Sequence, residues 1–274
     1  AEIGRALPTF QPTASARPDY MQAASYLVIS TCLMGDRTTA QALLALCRMH
    51  VDATGHDADT IEHGLLMFAE LVEARSFTCD PTTALRLADA ATRITTKAGD
   101  LRTLLFVMAY LGAALLELGS IDAAKPIFDD CLQLAERQNE PLLATHVRVQ
   151  YERWLLATEQ PDLLAHAVAS ARRTIDNPAT NPLLQGEAFA NFAAGMLRLG
   201  DLDAAEQAAK QACAALSGVP SEHLWALAVL LDVLRLQGRY AAAQPWLEAG
   251  QRALAQCGGS YSETTFLAAA AELC

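Results

Sequence analysis

Five side chains in the first quarter of the chain come closest to the pattern of a metal site: Cys47, His50, His56, Asp57 and His63. Thiolate, imidazole and carboxylate are common ligands of zinc and its neighbours, and a cation so held can activate water for hydrolysis. A chain using them in this way would be a helical metal-dependent hydrolase. Asp129 and Asp130 form a second acidic group.

Spacing argues against both. His56-Asp57 is similar to the dipeptide of the helical HD phosphohydrolases, but those enzymes also need an earlier His and a distant Asp on the same metal. His50 is too close to serve as the first, and Gly55 places the dipeptide in a loop. Asp129-Asp130 is similar to the acidic motif of terpene cyclases, whose third acid would fall near position 133, where Gln133 stands. The sequence contains no HExxH, no G-x-G-x-x-G and no G-x-x-x-x-G-K. Gly258-Gly259-Ser260 reads as a turn between helices, not as a nucleophile elbow. We therefore expect no catalytic residue, no metal and no cofactor.

What positions any site is a phrase repeated about every forty residues. Anchored on Ala40, Ala84, Ala124, Ala165, Ala205 and Ala243, the copies lie 44, 40, 41, 40 and 38 residues apart. Five residues before the anchors stand Gly35, Cys79, Gly119, Gln160, Gly200 and Gly238. Glycine there suits a helix C-terminus that needs a left-handed residue, and Asp36, Ser120 and Asp201 follow as N-caps. Thirteen residues before the anchors come Leu27, Leu71, Leu111, Glu152, Phe192 and Leu230; four after them come Leu44, Ala88, Phe128, Ala169, Ala209 and Leu247.

Apolar residues spaced by three and four on both sides of the turn predict two amphipathic, antiparallel helices per copy, each about 15–19 residues long. No segment alternates with period two, so no strand is expected. The fold expected is an all-α solenoid of about six helix pairs over 19–274, after a loose leader at 1–18, with an extended, curved shape. Ser262-Glu263-Thr264 caps an unfinished seventh pair, Phe266 to Ala271, so the chain is expected to continue past Cys274. The fourth copy is irregular: it has Glu152 and Arg153 at apolar positions, Gln160 for glycine and Arg172 in a small-residue slot. Either the stretch His146–Trp154 is functional, or the register slips there by a residue or two.

Leu111-Gly112, Gly119, Ala124 and Phe128 fall at the spacing of the tetratricopeptide core consensus, and the chain resembles that family from Asp19 to Cys257. The period is nearer forty than the family's roughly thirty-four residues, and its usual tyrosine and proline are mostly absent. The longer period is similar to that of the arrays in MalT-like regulatory ATPases and in the C-terminal halves of large bacterial Ser/Thr kinases. The resemblance implies a right-handed solenoid with a concave groove lined by the first helix of each pair. Carried over by the anchors, the groove residues are Glu73, Gln150, Trp154, Glu187, Arg198, Trp225, Asp232 and Arg235. Aromatic and Arg side chains there would hold a protein, a peptide or a small polar effector; alternatively, Trp154 and Trp225 fill gaps between repeats. The implied function is a non-catalytic protein- or peptide-binding scaffold, the regulatory arm of a larger bacterial signalling protein. The alternative is a solenoid that senses a small-molecule effector.

Composition narrows the partners. A net charge of −11 disfavours a nucleic-acid backbone or an anionic membrane surface, since both reward Lys and Arg. The seven cysteines are dispersed with no C-x-x-C, as expected for reduced thiols in a cytoplasmic protein. Cys47 and Cys131 stand seven residues after a repeat anchor, a slot for small packing residues. The longest uncharged runs, Tyr20–Met34 and Thr103–Leu116, fall short of the roughly 20 residues that span a bilayer. No signal peptide is evident.

Overall fold

The computed structural model describes residues 17–54, 60–78, 80–138, 140–158, 160–257 and 260–273. Among them are thirteen helices and no strand: α1 (Arg17–Leu33), α2 (Arg37–Thr54), α3 (Ile61–Phe77), α4 (Pro81–Ala98), α5 (Leu101–Glu117), α6 (Ile121–Gln138), α7 (Pro141–Ala157), α8 (Pro161–Asp176), α9 (Pro182–Leu199), α10 (Leu202–Leu216), α11 (Pro220–Leu236), α12 (Tyr240–Cys257) and α13 (Tyr261–Ala271). Most pack chiefly on their neighbours in sequence, successive odd-numbered helices also pack on one another, and α13 packs on α11 far more than on α12. The chain is an α-solenoid.

Local chemistry sets the ends of these helices. Asp36, Asp80, Asp100, Asn181 and Asp201 each accept a hydrogen bond from a backbone N–H two or three residues ahead. Such a cap is worth about 1 kcal/mol. Pro81, Pro141, Pro161, Pro182 and Pro220 open five helices, where a missing N–H costs nothing. Gly200 ends α9 with a φ of 87°. Its N–H donates to Leu197 O and that of Asp201 to Met196 O, which satisfies the last carbonyls of the helix.

Burial separates two layers. Even-numbered helices bury a single stripe; in α4 it is Ala84, Leu87, Ala88, Ala91, Ile94 and Thr95. Odd-numbered helices other than α13, which buries only Phe266 and Ala269, are in general buried more widely: α11 buries Leu224 and every residue from Ala226 to Leu231. The odd helices are therefore the inner layer and the even ones the outer. Ala40, Ala84, Ala124, Ala205 and Ala243 are at most 1 % exposed, as the repeat requires. Cys47 and Cys131 fill their slots with no exposure at all.

The fourth copy slips by one residue. Ala165 faces solvent, and Leu164 takes the buried position. Ala171 accordingly fills the small-residue slot, while Arg172, expected there, is exposed and pairs with Asp176 at 2.9 Å. After this correction Glu152 remains the one charged residue among the apolar residues twelve before each anchor, while Arg153 falls eleven before it, at the position of Glu73 and Asp232.

Close approach between layers depends on small residues. A Cβ placed on Gly112 would lie 2.6 Å from Cζ of Phe128, which is fully buried. Gly112→Ala is therefore expected to cost about 1–3 kcal/mol through overpacking, despite alanine's better helix propensity. Urea melts would show it, and Phe128→Leu in the same chain should recover part of the loss.

The extended shape expected from the repeat is not what forms. A Cβ on Gly35, in the turn between α1 and α2, would lie 2.9 Å from the carbonyl oxygen of Gln256 at the end of α12. Small rotations between successive repeats accumulate, and here they bring the first pair against the last.

Candidate functional site

This curl surrounds a partly open cavity of about 370 Å³, to which all seven odd-numbered helices contribute. Early helices line it with their C-terminal turns: Val72, Arg75 and Ser76 from α3, Tyr110, Ala113 and Glu117 from α5, Gln150, Arg153 and Ala157 from α7. Late helices line it near their starts, with Ser221, Glu222 and Trp225 from α11 and Tyr261, Ser262 and Thr265 from α13. Measured from the anchors, Ala113 stands eleven residues before and Glu222 twenty-one residues before. At 1.5 Å per residue these two positions are about 15 Å apart along the inner helix, whereas Arg198 of α9 still lines the cavity seven residues before its anchor.

Charged side chains cross the cavity in pairs. Arg75 donates through Nη2 to Glu117 Oε1. Arg153 donates through Nη2 to Glu222 Oε2 at 2.6 Å and lies 3.7 Å from Glu187 Oε2. Gln150 Nε2 donates to the same Glu187 oxygen at 3.2 Å. Each guanidinium also faces an aromatic ring, Arg75 at 4.9 Å from the Tyr110 centroid and Arg153 at 6.0 Å from that of Trp225. Such contacts strengthen when water is excluded.

Burial dominates the titration of this cluster. It pushes the Tyr110 phenol up to about 12 and, with Arg153 nearby, the His146 imidazole down to about 4, so both are neutral at pH 7. Burial and Glu222 raise the Glu187 carboxyl above its ordinary range. Burial also pushes Glu222 up, but Arg153 and Arg75 outweigh it and hold that carboxyl ionised. His146 and Glu187 line a second hollow of about 60 Å³ that shares Arg75, Tyr110, Gln150, Arg153 and Glu222 with the larger cavity.

Of the residues expected in a groove, Gln150, Arg198 and Trp225 line the cavity, and Glu187 lines the smaller hollow. Trp154 points the other way: it is 4 % exposed, donates through Nε1 to Ile121 O at 2.8 Å and stacks on Tyr151. Glu73 faces the outer layer, accepting from Gln41 Nε2 at 3.0 Å. Asp232 and Arg235 pair with each other at 3.5 Å, and Arg235 reaches Glu272 at 3.0 Å. Arg75, Tyr110, Glu117, Arg153 and Glu222 belong to the site although the repeat pattern did not single them out as groove residues. For Arg153 a signal existed: with the register corrected it stands at the position of Glu73 and Asp232.

Elsewhere, Asp129 pairs with Lys125 at 2.5 Å on the outer helix α6, away from the cavity. His56 and Asp57 lie outside the described residues, and among those described no three His, Cys, Asp or Glu side chains are grouped to hold a metal ion. No helix among the described residues is long and apolar enough to cross a membrane. No protein-family model matches the chain, and no curated protein matches it in sequence.

Proposed function

We propose that this α-solenoid is a non-catalytic effector-binding module, with its ligand held in the inner cavity. One observation carries the reading: residues from all seven inner helices, the first and last included, meet around a single space of about 370 Å³. That volume is within the range of small-molecule sites. An occupant touching Leu33 at one end and Tyr261 at the other bridges the two ends of the array and favours its closed form over an opened one. The lining suits recognition better than bond breaking. It offers hydroxyls and paired ions, while His146, in the adjoining hollow, packs at a tilt against Phe106 and is held neutral by burial.

The resemblance to tetratricopeptide arrays, and to the longer-period arrays of MalT-like ATPases and bacterial Ser/Thr kinases, supports a place as the regulatory arm of a larger signalling protein. Closure on a ligand would then be the signal passed to that partner domain. A surface scaffold for proteins or peptides, the other function that the resemblance implies, makes no special use of a space shared by all seven inner helices.

Thermal melts against a library of small molecules of mixed charge test the proposal. A ligand present at 100 times its Kd is expected to add about 2.7 kcal/mol of stability, and Trp225→Ala should abolish the shift. If peptides stabilise the chain and no small molecule does, the scaffold reading replaces this one.

A further inference from the structure

We infer that the cavity takes an uncharged amphiphile, an alkyl or aromatic body carrying one neutral hydroxyl or amide head. The inference rests on the cavity being an effector site and names the chemistry of its ligand. Polarity is divided across the space. Its aliphatic lining comes only from the early inner helices: Leu33 of α1, Val72 of α3, Ala113 and Leu116 of α5, Leu156 and Ala157 of α7. The late helices α11 and α13 add no aliphatic residue and bring the hydroxyls of Ser221, Ser262 and Thr265. Each of these three is half-buried and makes no side-chain hydrogen bond among the described residues. Ser262 and Thr265, three residues apart, share a face of α13. On the early side Ser76 is 9 % exposed and bonds with the Cys32 thiol.

Charge decides against an ionic head. Arg75 donates to Glu117 and Arg153 to Glu222. Arg198 donates to the Ala194 carbonyl at 3.1 Å, and its charge acts on Asp232. Asp232 pairs with Arg235 at 3.5 Å, and Arg235 with Glu272 at 3.0 Å. Arg75, Arg153, Arg198 and Arg235 are thus balanced by Glu117, Glu222, Asp232 and Glu272. A charged ligand would find no unmatched counter-ion, and taking an ion out of water without a partner is costly. Hydroxyls both donate and accept, so they satisfy an alcohol or an amide alike.

The aliphatic wall describes the body. Tyr110 and Trp225 add ring surface to it, while a molecule hydroxylated all round, such as a hexose, would leave that wall unused. A space of 370 Å³ equals the liquid volume of about a dozen waters. It suits a molecule of roughly that many heavy atoms.

The test is calorimetric titration of the full chain with octanamide and 4-phenylbutanamide, each beside its acid and its amine, and with glucose as a uniformly polar control. The amides are expected to bind at least tenfold more tightly than the acids, the amines or glucose. Shortening octanamide to hexanamide should weaken it about fifteenfold, since each buried CH₂ contributes about fourfold. Thr265→Val combined with Ser262→Ala removes both α13 hydroxyls and keeps the shape of the wall. The double variant should weaken the amides about tenfold while melting close to the unmodified chain, a separation that a purely structural role for these residues does not produce. Acids, amines or glucose within tenfold of the amides, or amides indifferent to the double variant, would overturn the assignment. If the mixed-charge library yields only ionic or uniformly polar ligands while the amides stay silent, only this assignment fails; if it yields none of any kind, the effector reading falls with it.

Discussion

Replacing Arg153 by methionine is expected to destabilise the chain by about 3–5 kcal/mol, the usual cost of breaking a buried ion pair by removing one partner. Methionine fills much of the volume, so the loss comes from the charge. Without the guanidinium, Glu222 loses its 2.6 Å partner and Glu187 the cation 3.7 Å away. Both carboxyls are largely withdrawn from water, with side-chain exposures of 18 % and 6 %. Repair should be specific. Glu222→Gln alone strands Arg153, but combined with Arg153→Met it should recover at least half of the loss, because no uncompensated charge then remains between α7 and α11. Urea denaturation of the two single variants and the double variant measures this coupling. A loss below about 1 kcal/mol for Arg153→Met would place the pair in water, as at a surface, and would be incompatible with a site largely withdrawn from water.

Glu152 should make stability fall as pH rises. It is fully buried between α7 and α9, its Oε2 accepts from Asn191 Nδ2 at 3.1 Å, and its Oε1 has no partner. Burial pushes its carboxyl up to about 7, against hydrogen bonds from Asn191 and Ser170 that pull it down, from an ordinary value of 4.5. Between those two values the native chain binds a proton that the unfolded chain has released. Stability contributed by this group is therefore intact below about pH 4.5 and lost progressively up to about pH 7. At 1.36 kcal/mol per unit, the total loss is about 3 kcal/mol. Asn191 Oδ1 also lacks a partner, and a protonated Glu152 brings the donor that this pair of side chains is missing. Glu152→Gln supplies a donor at every pH. It should flatten the profile and add about 2 kcal/mol at pH 8, whereas an unchanged slope would mean that another group titrates in that window.

Much of this architecture was legible because it rests on short-range chemistry. Gly35-Asp36 and Gly200-Asp201 stop one helix and cap the next wherever they occur. Buried alanines at five of six anchors follow from the limited space between layers. The sixth was misplaced because Leu164-Ala165 offers two adjacent apolar residues, and only packing chooses between them. The anomaly at Glu152 survives that shift and marks a buried titrating carboxyl, while the shift places Arg153, the centre of the ion network, at the repeat position of Glu73 and Asp232.

The ring of cavity residues was less legible because it depends on how the array curls. A fixed register carried along every repeat selects Glu73, Trp154 and Asp232, each eleven residues before the anchor used for its copy. The cavity is instead lined by the C-terminal parts of α3, α5, α7 and α9 and by the starts of α11 and α13, so α11 presents Trp225 rather than Asp232. Accumulated rotation of this kind is a property of all the interfaces together, and no single repeat encodes it. The same holds for the meeting of Gly35 with Gln256.

Hydrogen exchange with and without a bound ligand is the most direct test of the central claim, that one small molecule in the inner cavity ties the two ends of the array together. Using the tightest hit from the mixed-charge library, we expect protection to rise at once in peptides covering 33–37 and 260–265, which lie more than 220 residues apart in sequence, together with the C-terminal turns of α5 and α7. Protection confined to the outer, even-numbered helices, or to one end of the chain alone, would contradict it.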